Sequence, residues 1–203
     1  MTTGNDVTRR RRFFALLFGA ALCSCVCSAA AAATWGLEEL MRRLAQVKSS
    51  KAKFVERKSL QILNAPLEFT GTLSYSAPAH VEKHTLTPKP ESMVLDQDRL
   101  TVEDKTRGQK RTLTLQDYPV LWAFIESIRS TLAGDLQSLN RFYRVDLEGD
   151  EQEWRLVLKP RESRVQEMVS SIRIGGTAAS IRTIEVNEAN GDRSVMTITE
   201  IRP

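Results

Sequence analysis

The run Leu67-Glu-Phe-Thr-Gly-Thr-Leu-Ser-Tyr75 constrains this chain more than any other stretch. Leu67, Phe69, Gly71, Leu73 and Tyr75 alternate with Glu68, Thr70, Thr72 and Ser74. In an extended strand successive side chains point to opposite faces, so one face here is apolar or small and the other polar. That belongs to a sheet with one buried side and one wet side, which antiparallel pairing permits. The pattern continues along the chain. Strands are expected near 51–58, 67–76, 79–87, 91–96, 99–104 and 110–115. Ala77-Pro78, Pro88 and Pro90, Asp96 to Asp98 and Arg107-Gly108 punctuate them. Five more are expected at 141–148, 152–159, 169–175, 180–187 and 193–201, with turns at Glu148 to Glu151, Gly175-Gly176 and Asn190-Gly191. Asn-Gly is the strongest hairpin signal among these. Connections this short predict an antiparallel meander.

Two helical patterns interrupt the strands. Leu37, Leu40, Met41, Leu44 and Val47 recur at helical spacing, with Glu38, Glu39, Arg42 and Arg43 on the other face. Acidic residues precede basic ones, as the helix dipole favours. Midway, Asp117 is the expected cap and Pro119 sits in the first turn, where its missing N–H costs nothing. Val120, Leu121, Phe124, Ile125, Ile128 and Leu132 form a broad apolar stripe with Trp122 beside it, and Gly134 closes the helix. Asp135 to Asn140 reads as another short helical turn. No repeat, low-complexity tract or linker divides the chain.

The first 33 residues read as an export leader. Arg9 to Arg12 form a basic block, Phe13 to Val26 is almost wholly apolar, and Ala29 to Ala33 supplies small residues for cleavage before Thr34. The apolar run is about 14 residues, short of the roughly 20 a membrane span needs. Leu22 to Cys25 loosely resembles a lipoprotein cleavage site, at which Cys25 would be acylated and kept. Cys23 inside that run, and the alanine tract beyond it, favour ordinary cleavage. The leader holds four of the 29 Lys+Arg and one of the 25 Asp+Glu, so the remainder carries 25 against 24 and a net charge of +1 instead of +4. That balance gives no reason to expect nucleic acid as a partner. Every cysteine lies in the leader, so burial alone must hold residues 34–203, one domain with a core of its own.

Eleven strands at about 4.8 Å each make a sheet roughly 50 Å wide. Two helices about 10–12 Å across cover about half of one face. A twisted sheet of that width curls instead of lying flat, giving a partial barrel with an apolar concave side. Unless side chains fill it, the concavity is a site for an apolar ligand.

The succession of elements resembles the periplasmic LolA-like family of outer-membrane lipoprotein carriers. The stretches that carry the likeness are Lys53-Phe-Val-Glu-Arg57, Gly71-Thr-Leu-Ser-Tyr-Ser-Ala-Pro78 and Leu86-Thr-Pro-Lys-Pro-Glu-Ser-Met-Val-Leu-Asp-Gln-Asp98. Tyr143 to Pro160, including Trp154-Arg-Leu-Val-Leu-Lys-Pro160, and Ile181 to Ile201 complete it. The likeness spans essentially all of 34–203. It implies a mainly β fold, an unclosed antiparallel barrel of about eleven strands with a helical lid. It also implies a monomeric periplasmic carrier, not an enzyme, with no cofactor, whose cargo is the acyl chains of a lipoprotein or related lipid. Cargo would come from an inner-membrane donor transporter and pass to an outer-membrane acceptor. One departure stands out: the family's lid-latching arginine before the proline is Ala77 here. That puts the usual loading cycle in doubt and suggests a specialised relative.

Alternation and helical phase place the expected cavity lining at Phe54, Phe69, Leu73, Met93, Leu95, Leu113 and Leu115, joined by Leu121, Trp122, Ile125, Ile128 and Leu156. Other chemistry finds little support. The chain has no Gly-x-Ser-x-Gly elbow, phosphate-cradling glycine loop or His-Glu-x-x-His. His80 and His84, four apart on a strand, sit about 13 Å from each other, too far to share a metal. A small hydrolase would need a serine or carboxylate beside one of them, and the sequence places none there. Glu38-Glu39, Asp96 with Asp98, and Glu148 with Asp150 and Glu151 are expected in solvated turns or a helix start. Trp154 is a further residue able to stack a ligand. Lys105, Arg107, Lys110 and Arg111 form a basic hairpin patch. The alternative to a shuttle is a non-shuttling sensor or scaffold of the same fold, tethered through Cys25.

Overall fold

The computed structural model describes residues 35–201; the expected leader, with its cysteines, lies outside them. A first helix, α1 (Leu37–Leu44), leads into six strands: β1 (Ser49–Ser59), β2 (Leu67–Ser76), β3 (His80–Thr87), β4 (Glu91–Asp96), β5 (Arg99–Asp104) and β6 (Gln109–Thr114). A 3-10 turn at Leu115–Asp117 precedes α2 (Pro119–Ala133) and α3 (Leu136–Phe142). Then come β7 (Tyr143–Gly149), β8 (Trp154–Pro160), a short α4 (Ser163–Gln166), β9 (Val169–Thr177), β10 (Ser180–Glu188) and β11 (Arg193–Glu200).

All eleven strands form one antiparallel sheet in the order β6-β5-β4-β3-β2-β1-β11-β10-β9-β8-β7. Within β1–β6 and within β7–β11 each strand pairs with its neighbour in sequence, and the pairing of β1 with β11 joins the two halves. β6 and β7 do not pair, so the barrel is unclosed. The chain between these two edges is the segment that carries α2 and α3. The fold expected from the sequence is therefore the fold observed.

Register follows from alternation. On β1, Ala52, Phe54 and Glu56 are buried while Lys51, Lys53, Val55 and Arg57 are exposed. Phe54 stands opposite Gly71 on β2 and Ile198 on β11, and Leu73 opposite Ala52 and Lys83. A one-residue slip would turn every such pair inside out, which is why burial pins the register.

Four local expectations need correction. Gly175 and Gly176, expected to form a hairpin turn, lie within β9, and Ala178 and Ala179 join β9 to β10. The residue flanking Pro119 as N-cap is Tyr118, and Asp117 lies in the 3-10 turn without capping α2. Leu115 belongs to that turn, not to β6. There are four described helices, not two: α4 is a four-residue turn with too little periodicity to register in a sequence, and α3 runs on to Phe142. Asp135 does cap α3, accepting from the Ser138 N–H at 2.9 Å.

The buried core is divided in two. One cluster joins α1 to the β7–β9 side through Leu40, Met41, Leu44, Tyr143, Trp154, Leu156, Leu158, Ile172 and Ile174. The smaller one, Leu95, Leu100 and Leu115, is packed by Val81, Met93, Val102, Leu121, Trp122 and Ile125 on the β3–β6 side. Between them lie the central strands.

Candidate functional site

Helix α2 decides what happens above those strands. An amphipathic helix ordinarily buries its large apolar side chains and exposes its polar ones. On α2 the fully buried positions are Ala123, Glu126, Ser127, Ser130 and Thr131, whereas Phe124, Ile125, Ile128 and Leu132 are only half-buried. The buried polar groups are satisfied within the helix. Ser127 donates to the Phe124 carbonyl at 2.6 Å, Thr131 to the Ser127 carbonyl at 2.6 Å, and Ser130 to the Glu126 carboxylate at 2.7 Å. The Tyr143 hydroxyl donates to the Ala123 carbonyl at 2.9 Å, fastening α2 to β7. The small, polar side of the helix is thus fully buried, while its large apolar side chains pack only in part, Phe124 and Ile128 against the larger cluster and Ile125 against the smaller, and leave a void beside them.

That void is a cavity of about 340 Å³, within the roughly 300–1,000 Å³ span of ligand pockets. Phe124, Ile125, Ile128 and Leu132 line it from α2; Leu73, Met93, Leu95 and Leu100 from one half of the sheet; Ile174, Ile184, Met196 and Ile198 from the other. Of the twelve residues expected from the sequence, Leu73, Met93, Leu95, Ile125 and Ile128 reach it. The other seven lie elsewhere, for identifiable reasons. The Phe54 ring faces inward but is roofed by the Lys83 ammonium, 4.9 Å from its centroid, and Phe69 by that of Lys58 at 5.2 Å. Leu113 stands on the edge strand opposite Leu100. Leu115 and Leu156 are consumed by the two core clusters, and Leu121 and Trp122 pack against the smaller one, with Trp122 edge-on to Phe142 at 5.4 Å. Trp154 is buried in the larger cluster and donates its indole N–H to the Ala178 carbonyl at 2.9 Å.

The sequence reading missed the polar part of the wall. Glu56 is buried; Lys83 donates to it at 2.5 Å, Ser194 at 2.7 Å, and the Lys58 ammonium lies 3.5 Å away. Burial alone would push the Glu56 pKa up, but the charge and bond of Lys83, the Ser194 hydroxyl and Lys58 outweigh it, so the carboxyl sits below its ordinary range. All four residues line the cavity, as do Tyr75 and Arg129. The signal was present: Glu56 and Lys58 share the inward parity of Ala52 and Phe54, and Lys83 that of Val81. Charged residues on the buried parity of a strand call for partners or a ligand.

On β3, Glu82 accepts from both histidine rings, at 2.8 Å from His80 Nε2 and 2.8 Å from His84 Nε2. The Ser92 hydroxyl lies 3.0 Å from His84 Nδ1. The sequence placed no such partners beside these histidines, and the structure does. Ser92 nonetheless lies buried mid-strand in β4, paired with His84 on one side and Glu103 on the other. Its neighbouring amides are committed to the sheet ladder, so none is free to steady an oxyanion, and neither Ser92 nor His84 lines the cavity. Among the described residues no group of three His, Asp or Glu is placed to hold a metal ion. No described helix is long and apolar enough to cross a membrane.

The sequence profile described as outer membrane lipoprotein carrier protein LolA-like matches residues 29–199. No curated protein matches the chain in sequence. Among solved structures, a LolA superfamily protein from Nitrosomonas europaea is 10% identical with a TM-score of 0.45, covering 82% of this chain and 94% of that one. A chain of the Pseudomonas aeruginosa MucA/MucB complex is 14% identical with a TM-score of 0.44, covering 80% of this chain and 55% of the other.

Proposed function

The chain belongs to the LolA-like outer membrane lipoprotein carrier family, and from that premise we propose that it shelters lipid acyl chains in the cavity under α2 while they cross the periplasm. The observation that supports this most is the orientation of α2, which buries its small and polar residues completely and leaves Phe124, Ile125 and Ile128, packed only in part against the two clusters, lining the cavity. Each methylene moved from water into such a space gains about 0.8 kcal/mol. A carrier therefore lets a molecule pass through water that could not do so alone. Residues 1–33 act as a cleaved export leader, and the protein takes cargo from an inner-membrane donor and yields it to an outer-membrane acceptor. With Ala77 in place of the family's arginine, the lid is held by other means. The Tyr143 bond to Ala123 fastens α2, and Arg43 pairs with Glu39 within α1 and with Glu151 in the β7–β8 turn.

Binding of a fluorescent acylated peptide tests the reading. The unaltered protein binds it; Leu73→Glu and Ile125→Glu keep their circular dichroism and lose binding. Undiminished binding by both folded variants removes the cavity from the mechanism. Mass spectrometry of the mature N-terminus separates a shuttle, which begins near Thr34, from a tethered scaffold, which keeps an acylated Cys25.

A further inference from the structure

At one point of the cavity wall two ammoniums share a single carboxylate. Glu56 accepts from Lys83 and Ser194 and lies 3.5 Å from Lys58, so its two oxygens are occupied while the two ammoniums retain donors. Lys58, Lys83 and Glu56 together leave one surplus positive charge at this point of the wall; the wall's second carboxylate, Glu200, stands on β11 opposite Ala52 and makes no ion pair with either lysine among the described residues. On the helix side the charges balance, because Arg129 is bound by both oxygens of Glu126. A second observation is independent of these. Tyr75 is 3% exposed and lines the cavity, yet its hydroxyl has no hydrogen-bond partner among the described residues. A buried donor without a partner is costly, and a wall meant for hydrocarbon alone has no use for one.

The geometry points to a ligand with an acidic head: resting on the proposed acyl-chain function, we infer that Lys58 and Lys83 bind a carboxylate or phosphate ester whose hydrocarbon chain occupies the cavity. Lys83 is preset for this. Its ammonium lies over the Phe54 ring and is held by Glu56, so little side-chain freedom remains to be lost on binding. Glu56 has two effects. It fixes the lysine, and it tempers the attraction so that the anion can leave again.

Isothermal titration with four dodecyl amphiphiles below their micelle concentrations tests the inference: dodecanoate, dodecyl phosphate, dodecyl maltoside and dodecyltrimethylammonium. The expected result is at least tenfold tighter binding of the two anionic heads than of the neutral or cationic ones. Lys58→Gln with Lys83→Gln removes that preference and leaves maltoside binding in place, while Glu56→Gln strengthens the preference for anions. Inorganic phosphate alone does not displace dodecyl phosphate; displacement at equal concentration would mean that a free anion, not an amphiphile, is recognised, and would overturn the inference. Equal affinity for all four heads in the unaltered protein also overturns it, whatever the variants do, and spares the acyl-chain reading. Failure of every dodecyl compound to bind overturns both.

Discussion

Gly71 is where one missing side chain shapes the site. It stands opposite Phe54 at an inward position of β2, and a Cβ built there would lie 2.0 Å from the His84 carbonyl oxygen and 2.8 Å from the Phe54 ring. The empty space lets the ring lie along the strand, and Lys83 then crosses above it to Glu56. Glycine at an inward strand position marks such a close approach. Gly71→Ala is expected to destabilise the fold by about 1–3 kcal/mol through overpacking, read as a lower denaturant midpoint with an unchanged m-value. At the same scale, the bonds from His80 and His84 hold Glu82 at about 2, and the bond to Glu82 raises the His80 pKa above its usual 6.5. The Glu82 contribution to stability is present above pH 4.5 and lost as pH falls towards 2; that of His80 is present below 6.5 and lost as pH rises through its raised value. The pair therefore helps most between about pH 4.5 and 6.5. Both side chains are partly exposed, which limits the gain to under about 1 kcal/mol. Glu82→Gln should flatten the melting temperature's pH profile on both flanks; a profile identical to that of the unaltered protein would sink the assignment.

At the scale of elements, α2 was legible as a helix and illegible as to orientation. Its start at Pro119 and its end at Gly134, which is left-handed at φ 66° and packs against the Met41 carbonyl, follow from residues with narrow conformational roles. Which face packs does not, because Val120, Leu121, Phe124, Ile125, Ile128 and Leu132 wrap much of the circumference. The strands were easier. Alternation on β1 carries across the sheet through its register, so inward parity identified Leu73, Met93 and Leu95, and the same parity falls on Glu56 and Lys83. Tyr143→Phe tests the fastening of α2. Removing its buried bond to Ala123 should cost about 1 kcal/mol and speed hydrogen exchange along α2 more than along β7 to β9. Uniform change across the molecule would show that the bond does not hold the helix.

At the scale of the whole molecule, a ligand that binds only the folded protein stabilises it by mass action, by about 2.7 kcal/mol at a hundred times its dissociation constant. An acylated probe should accordingly raise the melting temperature of the unaltered protein and leave that of Leu73→Glu unmoved; a rise of equal size in both would place the probe outside the cavity. The topology itself was within reach of the sequence. Eleven strands with short connections can only meander, and once β1 meets β11 the helix-bearing segment must link the two free edges. By itself the sequence determined the strands, their wet and dry faces and the helix limits, because each depends on residues a few positions apart. Only the tertiary structure decided that the core divides in two, that the large apolar side chains of α2 border a cavity between the halves, and that Lys58, Lys83, Ser194 and Glu56 meet from three strands. A cavity is the volume left over when distant surfaces have finished packing, and no local run of residues encodes a remainder.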